Sequence, residues 1–204
     1  MHEDRGNLER ALSVLEESLQ VVRRLLERDP ERPEWLRDLT VSLNNVGRVH
    51  GDRGDFDRAL SDFQESLQVV RRLLERDPER PQWLSDLSVS LNNVGVVYRN
   101  RGEFDRALPA YEEALQIRRR LLERDPERSL WLRDLSLILD KVGDVYEKRG
   151  DLDRALQSYE ESLEVKRKIS GKDPKRTEWL DGISVVMGKL DAIRGRMSGG
   201  KAEA

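Results

Sequence analysis

The sequence predicts an all-α protein, an α-solenoid of antiparallel helical hairpins with about eight helices. Three observations predict it. The chain repeats itself at a fixed spacing of 48 residues: glycines at Gly6, Gly54, Gly102 and Gly150, tryptophans at Trp35, Trp83, Trp131 and Trp179, and Asp-Pro pairs at Asp29-Pro30, Asp77-Pro78, Asp125-Pro126 and Asp173-Pro174. A fixed period in this range is the mark of stacked supersecondary units. Between the breaks, apolar residues recur every three or four positions, as in Trp83, Leu84, Leu87, Leu91, Val94 and Tyr98, which is helical spacing. Each period holds only two breaks, Arg-Gly and Asp-Pro, too few for a blade of strands.

Taken in order, residues 1–6 (MHEDRG) match residues 49–54 (VHGDRG), so the chain is expected to start inside the last turn of a first-type helix whose body is missing. An orphan second-type helix over 7–28 follows, and Met1 then reads as a boundary cut from a longer array. Three full hairpins are expected over 33–78, 81–126 and 129–174. In each, the glycine closes the first helix where a left-handed residue is needed. Asp55 and Asp151 are good N-caps for the second helix, and Glu103 is a poorer one. The second helix ends at Asp-Pro, because proline disfavours helical geometry in the residue before it. Pro33 and Pro81 suit a first helical turn, and Ser129 and Thr177 stand there later. A last first-type helix, 177–195, is expected to cap the single 1–195 array, and the small polar stretch 196–204 is expected to be disordered.

Composition narrows the class of function. Apolar residues make up 37% and aromatics 5% of 204 residues, little for one compact core but enough for units that bury only the faces towards their neighbours. There is no cysteine, so disulfides and thiolate metal sites are excluded. No apolar run nears the ~20 residues of a membrane span, and the charged start lacks a signal-peptide core; the expected location is the cytoplasm. Thirty-seven Lys and Arg against 40 Asp and Glu argue against nucleic acid as a partner.

In the middle copy, Val94-Gly95, Tyr98, Ala107, Tyr111 and Ala114 stand at the spacing of the tetratricopeptide repeat. The other copies follow with Val46-Gly47, His50, Ala59, Phe63, Ser66 and with Val142-Gly143, Tyr146, Ala155, Tyr159, Ser162. The chain resembles that family, and EFDRALPAYEEALQIRRR is similar to its kinesin-light-chain type. The family repeat is 34 residues. Here the extra 14 divide into seven per helix, two turns each, which keeps both apolar stripes in phase. The tryptophans and the pairs Leu73-Leu74 and Leu121-Leu122 fall in these extensions and are expected to be core. Gly95 and Ala107 are expected to let paired helices approach closely.

The resemblance implies a right-handed superhelix whose first helices line a concave groove for a peptide or partner helix. Carried over residue by residue, the groove positions are Asn44, Arg48 and Asp52, then Asn92, Val96, Arg99 and Asn100, then Asp140, Asp144, Glu147 and Lys148. Repeats 33–80 and 81–128 are about two-thirds identical, yet Arg48, His50, Gly51 and Asp52 become Val96, Tyr98, Arg99 and Asn100. Asn44 and Asn92 attract attention because Asn is a poor mid-helix residue and its amide can pair with a peptide backbone. The acidic trio Asp140, Asp144 and Glu147 suggests a basic or mixed-charge ligand.

Elsewhere the bland reading is favoured. Arg23-Arg24, Arg71-Arg72, Arg118 to Arg120 and Lys166 to Lys168 recur on second helices with acids one turn on, and read as a solvated outer face. His50 stands at a core Tyr position and reads as a packing residue. Pro109 should bend its helix slightly. No converging acid–base pair is visible, so no catalytic, cofactor or metal site is assigned. The expected function is a protein–protein interaction scaffold. The alternative is a self-associating array, stacked head to tail or dimerised through its open ends, with the exposed N-terminal helix as the homo-oligomer contact; a nucleic-acid-binding solenoid ranks behind it.

Overall fold

The computed structural model describes residues 2–172 and 177–199. Among them every regular element is an α-helix: α1 (His2–Arg28), α2 (Pro33–Asp52), α3 (Phe56–Arg76), α4 (Pro81–Asn100), α5 (Phe104–Arg124), α6 (Ser129–Lys148), α7 (Leu152–Lys172) and α8 (Thr177–Gly199). The Asp173-Pro174 break lies outside the described residues. The chain forms two compact units, Met1–Ala110 and Tyr111–Ala204, with the division inside α5. In the first unit α1 packs on α2, α2 on α3 and α4, and α3 on α4; in the second α7 packs on α6 and α8.

The helix ends follow from local chemistry. Gly54, Gly102 and Gly150 have φ of 79°, 76° and 80°, the left-handed region. At the first corner the Gly54 N–H donates to the Gly51 carbonyl at 3.0 Å and the Asp55 N–H to the His50 carbonyl at 2.9 Å. These bonds satisfy carbonyls that a helix end otherwise leaves open. The carboxylates of Asp55 and Asp151 accept from the N–H groups of Arg58 and Arg154 at 3.4 and 3.2 Å. Glu103 instead pairs its carboxylate with Arg106 at 2.7 Å. At the other ends, Arg32, Arg80 and Arg128 make no side-chain cap bond. Their guanidinium groups lie 4.5, 4.6 and 4.4 Å from the ring centres of Trp35, Trp83 and Trp131. These three periods thus each carry a cation–π contact at the start of the first helix. Trp83 and Trp131 are core, while Trp35 is half-buried.

Close approach within hairpins is visible at Gly47 and Gly143. A methyl group on Gly47 would lie 2.7 Å from Cε1 of Phe63, and one on Gly143 would lie 2.6 Å from Cε1 of Tyr159. Ala59 and Ala155, on the facing helices, are fully buried. The first unit's core runs through Leu12, Leu19 and Val22 of α1 into Leu39, Leu43, Val46 and Val49 of α2.

Two boundaries differ from expectation. The first helix does not begin after Gly6: α1 runs unbroken from His2. Helical bonding through Gly6 outweighs its propensity cost of about 1 kcal/mol. At the other end α8 continues to Gly199, into the stretch expected to be disordered. Arg196 donates to Glu147 at 2.6 Å, and the Ser198 hydroxyl bonds the Arg194 carbonyl at 2.9 Å. Residues 200–204 lie outside the described residues. Helix α5 also continues through the exposed Pro109, whose missing N–H removes one bond near the helix start.

Candidate partner-binding faces

In the first unit α2 and α4 lie side by side. Arg37 bonds Asp86 at 2.8 Å, the Asn44 amide bonds the Ser90 hydroxyl at 2.9 Å, and the Asn93 amide bonds the Asn44 carbonyl oxygen at 3.0 Å. These partners are 46 to 49 residues apart, so equivalent positions of successive repeats are neighbours. Three rows result: Val41 beside Val89, Arg48 beside Val96, and Asp52 beside Asn100. They share the outward face because positions seven and eleven apart stack on one side of a helix. Arg48, Asp52 and Asn100 are exposed, and Asn92, Val96 and Arg99 are half-buried.

Asn44 is not at that surface. It is 9% exposed, and its amide donates to the Thr40 carbonyl (3.0 Å), to Ser66 (2.9 Å) and to Ser90. Ser66 and Ser90 bond each other at 2.8 Å. The side chain joins three helices beneath the face, and its poor helix propensity is offset by these bonds rather than by a ligand. Asn92 reaches Asn93 at 3.5 Å.

In the second unit the acidic trio is largely occupied from within. Asp140 accepts from Ser162 at 2.5 Å and from the Lys166 ammonium at 2.7 Å. Asp144 accepts from the Tyr159 hydroxyl at 2.6 Å and from Lys189. Glu147 accepts from Arg196 and, at 3.2 Å, from Tyr159. Burial, then the hydrogen bond to Asp144, hold the Tyr159 phenol far above its usual pKa. The Asp144 and Glu147 bonds tie α6 to α7 and α8, and Lys148 stays exposed. Three carboxylates that suggested a basic ligand have internal cations and hydroxyls for partners.

The basic clusters are not all solvated. Arg118 is 1% exposed and lies 3.2 Å from Asp134, and Lys166 is 5% exposed. Burial is the leading influence on Asp134 and raises its pKa, against the pull of Arg118. The equivalent positions earlier are Val22 and Val70, which are buried too. Several other cations on the second helices stitch repeats together. Arg23 holds Glu65 at 2.8 and 3.0 Å, and Arg119 holds Glu161 at 2.8 and 2.9 Å. Glu31 is clasped by Arg72 and Arg76, and Glu127 by Lys168 at 2.8 Å and Lys172 at 2.6 Å. The two lysine bonds lower the Glu127 pKa to about 2. A phosphate backbone would have to displace these acids.

His50 is buried at 6% exposure, as its Tyr-like position implied, with a partner the sequence did not reveal: Nδ1 lies 2.7 Å from Asp62. Burial raises the Asp62 pKa and the imidazole opposes that. In the next copy Tyr98 accepts from Arg106 at 2.8 Å, and later Tyr146 donates to Glu112 at 3.0 Å.

Sequence reasoning passed over one series altogether. Val41, Val89, Leu137 and Val185 are 41%, 39%, 42% and 60% exposed, one per first helix at the same repeat position. The signal was available, since an apolar residue three before each of Asn44, Asn92, Asp140 and Gly188 falls off the buried stripe. In the second unit, side-chain bonds from Lys189 to Asp144 and from Arg196 to Glu147 link α8 to α6.

Stacked helical hairpins with polar seams and a row of outward residues on each first helix define a helical-repeat scaffold. Family comparison agrees: two tetratricopeptide-repeat models match, one over residues 86–168 and one over 1–32 and 39–79, together most of the chain. The chain belongs to the tetratricopeptide-repeat family. Repeats of this family generally mediate protein–protein interaction or scaffolding, and the fold is typically non-enzymatic. Among solved structures, the crystal structure of BtubC (BKLC) from P. vanneervenii matches with a TM-score of 0.40 and 18% identity, over 94% of this chain and 92% of that one. A comparison with curated proteins gives no match. No described helix is long and apolar enough to cross a membrane.

Proposed function

We propose that this protein holds a protein partner on the outward face of its first-type helices, with Arg48, Asp52, Val96, Arg99 and Asn100 among the contact residues. One observation carries the reading: α2 and α4 are pinned side by side through Arg37–Asp86 and the Asn44 amide, while Arg48, Asp52 and Asn100 above that seam remain at the surface. A rigid seam beneath exposed side chains is what a preorganised binding face requires. The test is to select peptides from a random display library and then challenge the binders with Arg48→Glu combined with Val96→Asp. Affinity should fall at least tenfold, with Arg24→Glu on α1 as an unaffected control. Binding that survives the double change would remove this face from consideration.

A second reading, self-association through α1, draws on Val14 and Val21, which are 65% and 55% exposed and seven residues apart on one side of that helix. Sedimentation velocity over a hundredfold concentration range checks it: a dimer lost on Val14→Lys with Val21→Lys favours it, and a monomer throughout disposes of it.

A further inference from the structure

Resting on the partner-binding reading, we infer that the first unit takes an amphipathic helix carrying an aliphatic residue, a carboxylate and a cation in that order along its contact stripe. The order is read from the three rows on α2 and α4. The first, Val41 and Val89, exposes about two-fifths of each side chain with no function in the core. The second holds Arg48, exposed and with no ion-pair partner among the described residues; the third holds Asp52 in the same condition. Arg37, by contrast, is neutralised by Asp86. An exposed cation and an exposed anion one turn apart, neither used internally, form a charge pattern a partner can complement.

The spacings point to a helix. Val41, Arg48 and Asp52 stand at i, i+7 and i+11, so the rows lie about 10 and 6 Å apart along α2 at 1.5 Å per residue. A partner helix laid along the α2–α4 seam presents the same rise and the same stripe, and meets all three rows without strain in about three turns. Val96, half-buried in the middle row, extends the apolar floor on the α4 side. The second unit does not offer this pattern: at the middle row, Asp144 is already bonded to Tyr159 and Lys189.

The test uses synthetic 18-residue helical peptides with Leu, Glu and Lys at i, i+7 and i+11, made in both chain directions, beside versions with Glu and Lys exchanged. Fluorescence anisotropy with the whole chain should show one matched peptide binding at least tenfold more tightly than its exchanged twin. Arg48→Glu with Asp52→Lys should invert that preference; both positions are solvent-exposed, and circular dichroism confirms the fold. Val41→Asp with Val89→Asp should abolish binding of every peptide. If matched and exchanged peptides bind alike yet the valine change removes both, the charge order is overturned while the face stands. If binding survives the valine change, the face itself is wrong and the inference falls with it.

Discussion

The two units fill one structural seat in opposite ways. In Met1–Ala110 the seat between a first helix and the next second helix is neutral: Asn44, Ser66 and Ser90 share hydrogen bonds, with the apolar Val70 nearby in sequence. In Tyr111–Ala204 the equivalent positions are Asp140, Ser162, Val186 and Lys166, and the seat holds an ion pair of 2.7 Å. The exchange had to be concerted. Asp140 without Lys166 would leave a half-buried carboxylate with only a hydroxyl, and Lys166 without Asp140 would leave an ammonium at 5% exposure unpaired. The repeat frame therefore fixes where a polar group must sit and leaves open whether charge or an amide satisfies it.

Swapping the two solutions gives the largest expected effect. Lys166→Ala should cost about 3 kcal/mol or more, the usual penalty for breaking a buried pair from one side. Adding Asp140→Asn and writing Val at 166, which copies the first unit, should restore most of it in urea denaturation. A near-neutral single change would mean the pair has no structural role. Next come the close approaches. Gly143→Ala should cost about 3 kcal/mol, at the top of the overpacking range, because Tyr159 is tethered by bonds to Asp144 and Glu147 and has little room to yield. Gly47→Ala should cost less, about 1–2 kcal/mol, since the Phe63 ring carries no such tether. Equal losses would show that the hydroxyl bonds do not fix the ring.

Asn44→Ala tests the neutral seat by itself. It strands donors and acceptors on Ser66, Ser90 and Asn93 and should cost about 2 kcal/mol, with no change in peptide affinity beyond that stability loss. A specific loss of binding in a folded Asn44→Ala protein would return that residue to the contact surface. The smallest effect belongs to Glu127. Its folded pKa is depressed to about 2 from an ordinary value of 4.5, so its contribution is complete above pH 4.5 and fades as pH falls towards 2. Glu127→Gln should therefore lower the urea midpoint slightly at pH 6 and leave it unchanged near pH 2. A variant equally weakened at both pH values would argue that the two lysine bonds are not the cause.

Much of the architecture was readable as spacing. Arg-Gly and Asp-Pro gave the helix ends, and the close approach expected at Gly95 and Ala107 is visible at the equivalent Gly47 and Gly143, because each acts within one turn or one hairpin. The site was less readable. Arg48, Asp52 and Asn100 were found as exposed face positions, but Asn44 and the acids Asp140, Asp144 and Glu147 read as ligand contacts when they are internal partners. A polar side chain on a helix looks the same in sequence whether it faces water or a serine on another helix. Lys166 misled for the same reason, since it sits in a run of cations whose other members are exposed.

The 48-residue period, the two breaks in each unit and the alternation of first and second helices are consequences of local stereochemistry and apolar spacing, and the chain alone settles them. Which outward charges stay free for a partner is settled by packing. Apart from the Asn44 bond to Thr40, the bonds that occupy Asn44 and Asp140 join residues 22 to 49 positions apart, and nothing local to either residue encodes that reach.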